Sequence, residues 1–70
     1  MQEISLGDRP HIDLCDLLKV AGIVPTGAVG KHTVAGGEVK VDGAVELRKR
    51  AKIRSGQVVE CKGEKVKVVV

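Results

Sequence analysis

The chain has 70 residues, 12 of them basic and 9 acidic, and it contains no Phe, Tyr or Trp. This length predicts one domain over residues 1–70 with an aliphatic core, and two cysteines are too few for a disulfide scaffold. Because no apolar stretch could span a bilayer and the N-terminus lacks a signal-peptide pattern, we expect a cytoplasmic protein.

The first third of the chain predicts an edge strand followed by a helix. The strand covers residues 2–6, and residues 7–10 form a turn into the helix, with Pro10 in its first turn. Gly22 suits the left-handed position that ends a helix. Spacing of i, i+3, i+4 and i+7 predicts one buried helical face made of Leu14, Leu17, Leu18 and Ala21.

A second helix is predicted over residues 27–35. Thr26 is a suitable N-cap residue, and Gly36-Gly37 stops the helix. Gly30 lies inside the helix, where glycine costs about 1 kcal/mol relative to alanine. We therefore predict that Gly30 is there to allow close approach to the first helix or to the sheet.

Residues 38–45 predict a β-hairpin. They alternate between apolar and polar residues and contain Asp42-Gly43, a strong two-residue turn signal. Val39 and Val41 share one face of the strand, whereas Lys40 points the other way.

The remaining residues predict two further strands, 58–61 and 64–70, each preceded by a glycine-containing turn. Helices come first in the chain and strands follow, which is typical of α+β proteins rather than of alternating βαβ units. The predicted fold is α+β, with two short helices packed on a small, mostly antiparallel β-sheet.

Residues 48–54, here called the basic segment, carry five positive charges and no acid. Without these five residues the chain would have seven basic and nine acidic side chains. The net positive charge of the chain is therefore concentrated in the basic segment. Phosphates attract such a cluster through counterion release, and arginines bind them bidentately. We interpret it as a surface for a polyanion and expect that polyanion to be RNA. Lys31 and Lys40 are expected to add to this surface.

The absence of Phe, Tyr and Trp excludes the usual stacking of bases on these side chains. The chain is therefore expected to recognise folded or double-stranded RNA through backbone and shape. No helix is long and basic enough for a major-groove reader, although DNA binding stays open. An alternative is a protein-interaction module that docks an acidic partner.

Metal binding and catalysis have little support in the sequence. His11, Cys15, His32 and Cys61 lack the paired short spacing of zinc ligands, and no nucleophile motif or phosphate loop is present. We expect no metal, no cofactor, no small-molecule substrate and no enzymatic activity.

Several motifs occur in a fixed order. Leu17-Leu18 precedes Gly22, Thr26 holds a helix-capping position, and G-x-V-x-V-D-G covers residues 37–43, followed by Ile53 and Gly56. With this pattern the chain resembles, over about residues 11–60, the RNA-binding domain first seen in ribosomal protein S-four, also called the αL motif. It is most similar to the small stand-alone bacterial members.

The resemblance implies that two helices and the hairpin loop form the RNA-facing surface. Its targets would be structured RNA such as ribosomal or transfer RNA, with the ribosome as a candidate partner and a monomer as the expected state. A weaker alternative is an accessory domain detached from an RNA-modifying enzyme. By position, the resemblance implicates Lys31, Lys40, Arg48, Lys49, Arg50, Lys52 and Arg54.

The chain departs from the family pattern at two positions. Gly27 stands where an arginine often follows the capping residue, and we expect Lys31, one turn later, to replace that contact. Gln57 stands where the family usually has aspartate in the turn after the basic segment.

Overall fold

A five-stranded sheet forms one layer of the protein and two helices form the other. The computed structural model describes residues 1–70. Its elements are β1 Gln2–Ser5, β2 Ile12–Asp13, α1 Leu14–Val20, α2 Gly27–Ala35, β3 Val39–Val41, β4 Ala44–Val45, β5 Lys52–Ile53, β6 Val58–Cys61 and β7 Glu64–Val69.

The strand order of the large sheet is β1-β7-β6-β3-β4. Only β1 and β7 are parallel, and the other neighbours are antiparallel. Strands β2 and β5 form a separate antiparallel ladder. This arrangement confirms the predicted α+β class. Neither helix is long and apolar enough to cross a membrane.

The core lies between the helices and one face of the sheet. Alternate residues of β3, β6 and β7 point into it, and both helices contribute from the other side. Burying a valine or leucine side chain contributes about 1.5–3 kcal/mol, so aliphatic residues alone can hold this layer. The fully buried side chains include Val39, Val59, Val66, Val68, Leu14, Leu17, Leu18 and Val34.

Helix α1 begins later than the sequence predicts. It starts at Leu14, not near Pro10, because Ile12 and Asp13 pair with Ile53 and Lys52 across the β2–β5 ladder. The predicted leucine face is nevertheless buried, and Gly22 has the expected positive φ of 77°. The prediction of the first helix was therefore right in its face and its end, but wrong in its start.

Helix α2 has the predicted bounds. The Thr26 side chain accepts a hydrogen bond from the Val29 N–H at 3.2 Å, and Gly36 caps the other end. This hydrogen bond satisfies one of the backbone donors that the first turn of a helix leaves free. Thr33, which is buried, donates its hydroxyl to the carbonyl of Val29 at 2.8 Å.

Gly30 lies in close contact with the backbone of α1. A Cβ atom added there would lie 3.1 Å from the carbonyl oxygen of Cys15 and 3.4 Å from Cγ2 of Val24. At Gly27, in the same helix, no atom lies within 4 Å of such a Cβ. The close approach predicted from the sequence is therefore present, and α1 backbone is what α2 approaches.

These two glycines provide a matched test of that contact. Both Gly→Ala changes gain helix propensity, worth up to about 1 kcal/mol at Gly30 in the helix interior and less at Gly27, the first residue of α2. Only Gly30→Ala must displace backbone, so we expect it to be less stable than Gly27→Ala by about 1 kcal/mol or more, measured by urea denaturation. Equal stabilisation by the two changes would mean that the helices do not touch at Gly30.

Candidate nucleic-acid interface

The basic segment separates its apolar residues from its charges. It contains a turn and then β5, and it buries Ala51 and Ile53 in the core. The other five residues of the segment are exposed to solvent, so the buried pair anchors the segment while its charges stay accessible. The exposed residues are Arg48, Lys49, Arg50, Lys52 and Arg54.

Backbone hydrogen bonds attach the basic segment to the start of α1. The N–H of Leu14 donates to the carbonyl oxygen of Ala51 at 2.9 Å, and that of Cys15 donates to the carbonyl oxygen of Lys49 at 3.0 Å. The Asp13 side chain, by contrast, makes no capping bond. The segment thus satisfies backbone donors that the helix leaves free, and its position does not depend on its charged side chains.

Asp42 fixes the other end of the basic segment. Asp42 and Gly43 both have positive φ, 51° and 86°, as the predicted two-residue hairpin turn requires. The Asp42 carboxylate accepts hydrogen bonds from the N–H of Val58 at 3.0 Å and from Nε2 of Gln57 at 3.1 Å. These two bonds lower the pKa of Asp42 below its ordinary value.

Gln57 continues this connection to the basic segment. Its Oε1 accepts a hydrogen bond from the N–H of Arg54 at 2.8 Å, while its Nε2 donates to Asp42. The amide can bond in both directions, because it carries an acceptor and a donor. The departure from the family's aspartate at this position therefore leaves the turn tied to the hairpin.

One charge of the basic segment is already paired. The Glu46 carboxylate accepts hydrogen bonds from Nε, Nη2 and the backbone N–H of Arg48, each at 3.0 Å. These bonds lower the pKa of Glu46 to about 2 and raise the pKa of Arg48. The segment contains no acid, but an acid two residues before Arg48 neutralises one of its five charges.

Helix α2 and the basic segment meet at a shallow depression of about 330 Å³. Four of its lining residues follow the i, i+3, i+4, i+7 spacing of one face of α2, and the fifth comes from the basic segment. No other depression of this kind is present in residues 1–70. Lys31 and Lys49 therefore lie at one continuous surface. The lining residues are Ala28, Lys31, His32, Ala35 and Lys49.

Lys40 does not lie on the surface that Lys31 and Lys49 share. Val39 and Val41 of β3 face the core, so Lys40 projects from the opposite face of the sheet, here called the helix-free face. Its cross-strand neighbours are Val45 and Glu60. The expectation that Lys31 and Lys40 share a surface is wrong, because the sheet separates them.

His32 lines the depression, a position that no sequence motif predicted. It was considered only as a metal ligand, whereas the structure places it in the depression beside two lysines. No three His, Cys, Asp or Glu side chains in residues 1–70 are grouped as a metal site. The helical spacing of Ala28, His32 and Ala35 was the available signal for this shared face.

Both cysteines are buried and free. Burial raises the pKa of the Cys61 thiol above its ordinary value. A thiol with a raised pKa is mostly protonated and is a weak nucleophile, so Cys61 acts as a small apolar core residue.

Known proteins match this chain along almost its whole length. The family model described as the S4 domain matches residues 4–69. The "Putative RNA-binding protein YbcJ" of Escherichia coli strain K12 is 55% identical over 69 residues, which are 99% of this chain and 99% of that protein. YbcJ of Shigella flexneri has the same identity and coverage.

A solved structure agrees with the sequence matches. The solution structure of E. coli YbcJ, described as revealing an αL motif involved in RNA-binding, has a TM-score of 0.78 and 54% identity to this chain. The match covers 100% of this chain and 89% of that chain. Fold and sequence thus confirm the resemblance drawn from the motif at residues 37–43, and the chain belongs to the S4 domain family.

Proposed function

We propose that this protein binds structured RNA through the basic segment and the adjoining face of α2. The observation that carries the proposal is that Lys31 and Lys49, from separate elements, line one depression beside a row of exposed cations. Hydrogen bonds to α1 hold the backbone of this row in place, so the backbone itself need not become ordered on binding. Membership of the S4 domain family and the name of the YbcJ relative support RNA as the polyanion.

The contacts expected at this surface are mainly to phosphates. Arg50 and Arg54 can each fork onto a phosphate, and the lysines act as point charges. Such contacts read the spacing of the backbone and not the base sequence, which suits the shape of an RNA duplex. Ribosomal and transfer RNA are the candidate targets, bound by a monomer in the cytoplasm without catalysis.

Titration with labelled RNA at several salt concentrations tests this proposal. Binding through about five phosphates should give a log–log slope of about −3 to −5, with a hairpin bound more tightly than a single strand of the same length. Equal affinity for both RNAs would contradict recognition of duplex shape. Competition by polyglutamate as effective as that by RNA would instead favour an acidic protein partner.

Glu46→Gln should strengthen RNA binding. The change removes the carboxylate that occupies three donors of Arg48, so the guanidinium becomes free to reach a phosphate. Exposed ion pairs are weak, so we expect a gain of roughly two- to fivefold in affinity. The salt slope should steepen by about one unit.

Glu60→Gln is the control for Glu46→Gln. It removes the same charge from the helix-free face, away from Arg48, and should change the affinity much less. If Glu46→Gln weakens RNA binding instead, Glu46 serves to orient Arg48 and does not shield it.

A further inference from the structure

The depression between α2 and the basic segment is lined by His32, the one exposed histidine of the chain. The sequence has no Phe, Tyr or Trp, so its only aromatic rings are those of His11 and His32. His32 is exposed and lines the depression, whereas His11 is half-buried outside it. Unpaired RNA bases stack on histidine as well as on larger aromatic rings. Of the two rings, only that of His32 is exposed in a concave site where a base could stack on it.

The shape of the depression suits one nucleotide. Ala28 and Ala35 lie one helical turn to either side of the Lys31–His32 pair, and their small side chains leave the space open. Its volume of about 330 Å³ is at the lower end of the range for small-molecule sites. A base in a continuous duplex must lose a few kcal/mol of stacking and pairing to enter it, whereas an unpaired base loses much less.

The charges at the depression suit the phosphate of that nucleotide. Lys31 approaches from α2 and Lys49 from the basic segment, so two cations from separate elements converge on one small space. The backbone of Lys49 is fixed, because its carbonyl oxygen accepts the hydrogen bond from Cys15 at 3.0 Å. No carboxylate lines the depression, so nothing there repels an anion.

We propose that this depression takes one unpaired nucleotide of the bound RNA, with its base against His32 and its phosphate between Lys31 and Lys49. The inference rests on the proposed RNA-binding function and adds the structural feature that the RNA must have. The preferred target is then a duplex interrupted by a bulged or unpaired nucleotide. Phosphate contacts along the basic segment hold the flanking duplex, and the depression selects the interruption.

Two hairpins that differ by a single bulged nucleotide test this inference. The bulged base is 2-aminopurine, whose fluorescence is quenched by stacking. We expect the bulged hairpin to bind about tenfold more tightly than the fully paired one, with quenching on binding. His32→Ala should remove the preference, and His32→Phe should keep it. Lys31→Gln should lower the affinity for both hairpins.

Filling the depression provides a second test without a change of charge. Ala35→Leu narrows the space and should abolish the preference for the bulged hairpin. Val29→Leu adds apolar volume to the same helix outside the depression and should retain it. Circular dichroism checks that each variant is folded. If Ala35→Leu does not fold, His32→Ala still tests the nucleotide site.

The outcomes separate this inference from the proposed function. Failure of the wild-type protein to bind either hairpin would overturn both. Equal binding of the two hairpins, or an undiminished preference in His32→Ala, would overturn the nucleotide site alone and leave duplex binding standing.

Discussion

Replacing Arg48, Lys49 and Arg50 together with glutamine is expected to abolish RNA retention at physiological salt. Three of the cations that we assign to the interface are lost at once, and the freed Glu46 carboxylate adds an unpaired negative charge. We expect the affinity to fall about a hundredfold or more, and the salt slope to become shallower by about 2 to 3 units. Filter binding and fluorescence anisotropy over a salt series measure both quantities.

The fold should survive this triple substitution. All three side chains are exposed, and Lys49 contacts α1 through its carbonyl oxygen, which glutamine keeps. Stability should therefore change little, because surface substitutions away from special contacts are usually within about 0.5 kcal/mol. An unchanged thermal transition would show that the loss of binding reflects the lost charges.

Lys40, Lys65 and Lys67 provide the matched control. They lie on the helix-free face, and changing all three to glutamine removes as many positive charges from the protein as the first variant does. Only long-range attraction should suffer, so the affinity should fall far less than in the first variant. If the two triple variants lose equal affinity, net charge and not the basic segment determines binding. Undiminished binding by the first variant would refute the site assignment.

The parts of the fold that the sequence predicts well are the ones with local signals. The hairpin follows from Asp42-Gly43, because both residues must have positive φ in that turn. The bounds of α2 follow from the capping Thr26 and the terminating Gly36-Gly37. Each signal lies within a few residues of the element that it defines.

The start of α1 depends on a pairing that has no local signal. Ile12 and Ile53 are far apart in the chain, and a ladder of two residues in each strand is too short to show alternation. Pro10 followed by the leucine pattern therefore suggested a longer helix than the structure has. The tertiary pairing overrides the local preference, since it buries both isoleucines.

The candidate site also has features that follow from the local sequence and features that depend on the tertiary structure. The exposed charges of the basic segment are predictable, because they depend only on residue type. The pairing of Glu46 with Arg48 requires the turn geometry, and the depression requires α2 and Lys49 to be brought together. The separation of Lys40 from Lys31 could have been inferred, since alternation already set Lys40 opposite the core-facing valines.

Ile53→Ala should destabilise the protein strongly while leaving every interface charge in place. Ile53 is 1% exposed, pairs with Ile12, and anchors the basic segment in the core. Isoleucine-to-alanine changes at such sites cost about 2–5 kcal/mol, because the cavity adds to the lost burial. Small domains have about 5 kcal/mol or little more in total, so a large fraction of the variant should be unfolded at 37 °C. Urea denaturation measures the loss as a lower midpoint.

Leu47→Ala is the control for this loss of stability. Leu47 is 60% exposed just before the basic segment, so its truncation should lower the free energy of unfolding far less.

RNA binding distinguishes loss of the site by unfolding, in Ile53→Ala, from loss of its charges, in the triple variant. In Ile53→Ala the apparent association constant should equal the wild-type value multiplied by the folded fraction, and the salt slope at low temperature should stay that of the wild type. The triple charge variant should instead stay folded and show a shallower salt slope. A stable Ile53→Ala protein would mean that the basic segment is not held by its buried side chain.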